Sequence, residues 1–134
     1  MPKSFQICIA TLVAVVAIGA FAFAEDSDSK DDKKKPKHTV KQVMVKAMSP
    51  KGDKLNKKVL SGEASDQEKL ELLDLFISLT ENDAPSGDQA SWNKFASTAA
   101  MAAAKVAVGR DGAMDELKAA TNCKKCHDAH KPKK

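Results

Sequence analysis

From Thr39 to His130 the apolar residues recur at intervals of three and four. No stretch alternates polar and apolar residues with the β-branched enrichment of a strand. This single regularity commits the chain to helices. Val40, Val43, Met44, Ala47 and Met48 make one stripe after a capping Thr39. Ser49-Pro50-Lys51-Gly52 interrupts it, and Asp53 can cap a continuation that buries Leu55, Val59 and Leu60 and stops at Gly62. Ser65-Asp66-Gln67-Glu68 is a capping box, predicting a second helix with a broad buried face of Leu70, Leu72, Leu73, Leu75, Phe76, Ile77 and Leu79. Asn82 to Asp88, with Pro85 and Gly87, reads as a loop. A third helix starts near Asp88, its inward stripe Trp92, Phe95, Ala96, Ala99, Ala102, Ala103 and Val106. After a tight Gly109–Gly112 connection, a fourth helix is expected from about Ala113 to about His130, ended by Pro132. The expectation is an all-α domain, an antiparallel up-down-up-down four-helix bundle with short links.

The first 24 residues do not share this pattern. Lys3 gives a positive start, Ile7 to Ala20 is apolar, and Ala22-Phe23-Ala24 offers the small residues read by a signal peptidase. Residues 1–24 are therefore expected to be a secretory signal peptide cleaved before Glu25. The apolar run falls short of the roughly 20 residues of a spanning helix, so a membrane tie is expected only if the signal stays uncleaved. Residues 25–37 are almost wholly charged or Ser and read as a flexible linker. The folded domain is then 38–134.

Removing Lys3 with the leader leaves 21 Lys and Arg against 18 Asp and Glu, a net charge of +3. With one Trp, no Tyr and an export signal, nucleic acid is not an expected partner. Lys124, Lys125, Lys131, Lys133 and Lys134 gather at the C-terminus, where they serve either a soluble helix end or docking to an acidic redox partner.

Cys8 leaves with the signal, so two cysteines remain, in Cys123-Lys124-Lys125-Cys126-His127. C-x-x-C-H is the attachment signature of a c-type haem. Thiols three positions apart share one helix face, so each can bond one vinyl group on the same side of a haem. The adjacent His127 supplies the proximal imidazole. A plain disulfide would not need His127. A thioredoxin-like pair would need a βαβ setting. A zinc site completed by His127 and His130 would have unusual spacing. One covalent haem c on Cys123, Cys126 and His127 is the expectation.

On this motif near the end of the last helix, and its continuation Asp128-Ala129-His130, the chain resembles the four-helix cytochromes c, the class that includes cytochrome c′. The resemblance covers residues 38 to 130. It implies a mono-haem protein whose sixth iron position lies near the start of the first helix; the signal peptide implies a periplasmic location. Met44, with Met48 as the alternative, is the candidate distal ligand; His38 is a weaker one, and both methionines also suit ordinary core packing. A ligating Met implies a one-electron carrier acting with redox partner proteins, not an enzyme. The alternative is a five-coordinate cytochrome c′-like protein that binds nitric oxide or carbon monoxide. The Arg that cytochromes c′ commonly carry on helix one is absent here. The class also leaves open a homodimer paired through its first helices. His130 reads as a solvated terminal residue, and Trp92 and Phe95 as core near the haem.

Overall fold

The first capping residue works as its position suggests. In a computed structural model describing residues 35–49 and 54–133, Thr39 Oγ1 accepts from the Gln42 backbone N–H at 3.3 Å. Gln42 Oε1 in turn accepts from the Thr39 N–H at 2.8 Å. The expected signal peptide, the linker up to residue 34 and the Pro50–Asp53 break, with its Asp53 cap, lie outside the described residues.

This box opens α1 (Val40–Val43), which runs straight into a wider π-helical turn over Met44–Met48. Then come α2 (Leu55–Leu60), α3 (Asp66–Glu81), α4 (Gln89–Ala107), α5 (Ala113–Ala120) and α6 (Cys123–His130). Every regular element among the described residues is helical, so the domain is all-α. These residues fall within one compact unit, Asp32–Lys134.

Ser65 and Glu68 form the reciprocal box that starts α3, and Asp88 Oδ2 accepts the Ser91 N–H at 2.7 Å to start α4. The face of α3 is narrower than the sequence suggested. Leu72, Leu75, Phe76 and Leu79 are buried, whereas Leu70 and Ile77 are 50% and 42% exposed. Seven apolar residues in ten positions cannot share one side of a helix that turns about 100° per residue; the set i, i+3, i+4, i+7 wins. The alanine stripe of α4 buries as expected, with Trp92 and Val106 at either end. Alanines bring the neighbouring backbone close, and α3 and α4 share the most extensive contact of the domain. Val43, Ala47, Val59 and Leu117 complete the core, each at most 1% exposed.

The last helix is two helices. Thr121 Oγ1 donates back to the Leu117 carbonyl at 2.8 Å, and Asn122 then turns extended and caps a new start, its Oδ1 accepting from the Lys125 N–H. The competing side-chain bonds of Thr and Asn end α5 here and reset the direction for α6. The Cys-Cys-His motif therefore occupies the first turns of its own short helix.

Lys37, at the end of the expected linker, places its Nζ 2.7 Å from Asp74 Oδ2. Among the described residues, no helix is long and apolar enough to cross a membrane.

Candidate functional site

A cavity of about 450 Å³ opens where three parts of the fold meet. The α1 segment and its π turn bring Met44, Val45 and Met48. The α3–α4 pair brings Phe76, Leu79, Trp92, Phe95 and two alanines. The α5–α6 junction brings Thr121, Asn122, Cys123, Cys126 and His127. Its size falls in the range of small-molecule and cofactor sites. The lining is almost wholly apolar, and Lys41 is its one lysine.

Cys123, Cys126, His127, Met44 and Met48, the residues expected to attach or ligate a haem, all line this one cavity; His38 and His130 do not. Cys123 is exposed and its Sγ points at the Thr121 carbonyl, 3.9 Å away. Cys126 is half-buried. Burial, and next the nearby Cys123, push its thiol above the ordinary value of 9.0. It is a neutral thiol at neutral pH and a slow nucleophile. His127 sits exposed at the rim, with an imidazole nitrogen available as a donor. Met44 and Met48 are partly buried and pack against the core at the two ends of the π turn. Such turns occur often at functional sites. His38 is elsewhere: its Nε2 lies 3.4 Å from Asp74 Oδ2.

Trp92 anchors the inner wall. Its indole N–H is shared between the Leu79 carbonyl at 3.1 Å and the Asn82 carbonyl at 2.9 Å. Phe95, beside it, is only partly buried because its ring meets the cavity.

His130 departs from the sequence reading. It is 3% exposed rather than solvated. Nδ1 lies 2.8 Å from the Ser86 carbonyl and Nε2 lies 3.2 Å from Ser91 Oγ. Its ring meets those of Trp92 and Phe95 edge-on, at centroid distances of 5.5 and 5.7 Å. Both nitrogens are thus engaged away from His127, and His130 is not placed to complete a zinc site. Among the described residues, no three His, Cys, Asp or Glu side chains converge on one metal position. His130 follows Cys126 by four, which puts the two on one helix face, but its burial comes from Ser86 and Ser91, far away in the sequence. Lys41 also went unremarked in the sequence, where it is one lysine among many.

The arrangement offers two thiols one turn apart, an imidazole and two thioethers around an apolar space. No family model matches the sequence, and comparisons with curated proteins and with solved structures return no match.

Proposed function

We propose that the chain is an exported mono-haem c-type cytochrome that carries single electrons, resembling the four-helix cytochromes c. The observation that carries this reading is the meeting of Met44 and Met48 with Cys123, Cys126 and His127 at one apolar cavity. The residues fit the group. Two thiols on adjacent turns suit two thioether bonds, and an imidazole beside them suits iron. Phe76, Leu79, Trp92 and Phe95 suit the faces of a flat ring. Haem, when bound, supplies a one-electron iron couple.

The chain's own residues do the rest. Cys123 and Cys126 hold the cofactor covalently, so a small alanine-rich core keeps it after export. His127 donates its imidazole. One methionine, Met44 before Met48, donates a thioether, which raises the potential relative to His alone. The apolar wall excludes water. Among the described residues, Lys41, His127 and the two cysteines are the ionisable groups lining the cavity.

The helix contacts support an antiparallel up-down-up-down bundle. Taking α1, its π turn and α2 as the first helix and α5–α6 as the last, the neighbours close in order. The first helix meets α3, α3 meets α4, α4 meets α5, and α5 meets α2. Exposed Lys124, Lys125, Lys131 and Lys133 beside the attachment point suit an acidic redox partner. The leader suits a periplasmic location.

Absorption spectra of the exported protein, oxidised and reduced, test this reading. Low-spin spectra in both states, with the weak far-red band of a methionine–ferric bond, are expected. A high-spin spectrum with ready carbon monoxide binding would instead place the chain with the gas-binding cytochromes c′.

A further inference from the structure

Helix α6 carries Cys123, Cys126 and His127, yet only one of its side chains is buried, and that is His130. The helix is docked through this residue. Ser86 O can only accept, so Nδ1 of His130 carries the proton and donates to it. Nε2 is then left to accept from the Ser91 hydroxyl. One bond reaches the α3–α4 loop and the other reaches α4. The ring lies edge-on against Trp92 and Phe95, both of which line the cavity.

The loop is shaped for this approach. Gly87 has φ +80, and a Cβ there would lie 2.6 Å from the Ala129 carbonyl oxygen and 3.3 Å from His130 Nδ1. Only glycine tolerates both the backbone and the contact. Cys126 is four residues before His130 and His127 three, so fixing the His130 ring fixes the rotation of the face that presents both.

We propose that His130 is the positioning residue of the site: its two hydrogen bonds set the rotation of α6, and with it the placing of Cys126 and His127 at the cavity. A packed aromatic ring alone would not do this, because it leaves Ser86 O without its donor. The assignment to haem positioning rests on the cytochrome reading; the docking of α6 does not.

The test compares His130→Phe, which keeps a ring, with His130→Asn, which keeps a donor toward Ser86 O. The full chain is made without haem attachment, reduced, and labelled with iodoacetamide, each thiol being followed by peptide mass. Losing the donor to Ser86 O shifts the opening of α6 by about tenfold, about 1.4 kcal/mol. Cys126 should therefore label about tenfold faster in His130→Phe, while the exposed Cys123 labels as in wild type. His130→Asn, which keeps the donor but loses the ring and the Ser91 bond, should label more slowly than His130→Phe. Gly87→Ala, acting from the other side of the contact, should also speed Cys126 labelling with helicity retained, which keeps the test decisive should His130→Phe fail to fold. In haem-loaded protein, His130→Phe should shift the potential and His130→Asn should shift it less. Unchanged Cys126 labelling in both His130→Phe and Gly87→Ala, or His130→Asn behaving like His130→Phe, overturns the proposal. A chain that acquires no haem overturns the cytochrome reading, while the labelling still decides the role of His130.

Discussion

Replacing Met44 and Met48 by Ala, one at a time, separates ligand from filler. Both side chains line the cavity and are partly buried against the core formed by Val43, Ala47 and their neighbours. Truncating a fully buried Met costs about 2–5 kcal/mol through lost transfer energy and the void left behind. A side chain that already borders a cavity loses fewer contacts, so about 1–2 kcal/mol is the packing cost expected for each variant. For a domain of this size that lowers Tm by about 4–8 °C per kcal/mol. Packing loss alone leaves the spectrum of the loaded protein unchanged. Loss of the ligand removes the far-red band, turns the ferric form high-spin and opens it to carbon monoxide. The expected result is that one variant, Met44→Ala, does both, and Met48→Ala changes only the Tm. Absorption spectroscopy and thermal melts on the two variants decide it. If both variants keep the wild-type spectrum, neither methionine ligates and the carrier reading fails.

The remaining predictions concern stability and partners. Trp92→Phe leaves the Leu79 and Asn82 carbonyls without the indole donor, and should cost about 1–3 kcal/mol, read as a lower urea midpoint at unchanged m-value. Glu68, hydrogen-bonded to Lys58 and to the Ser65 backbone, has its carboxyl lowered from 4.5 to about 2. Because the folded value is the lower one, its contribution is present above pH 4.5 and lost as pH falls toward about 2. Urea melts of Glu68→Gln should accordingly show a flatter pH dependence across that window, and an unchanged one would remove Glu68 from the acid response. If Lys124, Lys125, Lys131 and Lys133 steer an acidic partner, electron transfer to it should slow as salt rises, the field being screened to about 8 Å at physiological ionic strength. A rate indifferent to salt leaves those lysines as solubility residues.

The parts of the fold legible in the sequence are those decided within a few residues. Thr39, Ser65 and Asp88 cap helices because their side chains reach N–H groups three positions on. The α4 stripe was legible because alanines and Trp92 recur at helical spacing in a segment without breakers. What was missed depends on distance or competition. The break at Thr121-Asn122 arises because both side chains bond nearby backbone, Thr121 to the Leu117 carbonyl and Asn122 to the Lys125 N–H, and Asn122 starts a new helix. Leu70 and Ile77 are apolar but on the wrong side of α3. His130 is buried by Ser86, Gly87 and Ser91, some 40 residues earlier in the chain, and no local pattern announces them. The site divides the same way. Cys123, Cys126 and His127 stand together in the sequence as a motif. That Met44 and Met48 share their cavity depends on how the packing of α1 against α3 sets α1 and the π turn that continues it.

The claim on which the account rests is that Cys123 and Cys126 hold a haem covalently. Acid–acetone extraction of the exported protein, followed by intact and peptide mass spectrometry, tests it directly. The account predicts colour that stays with the polypeptide, a chain beginning at Glu25, and the mass of one haem on the peptide containing Cys123 to His127. Colour that extracts into the solvent, or a Cys123–Cys126 disulfide on that peptide, would contradict it.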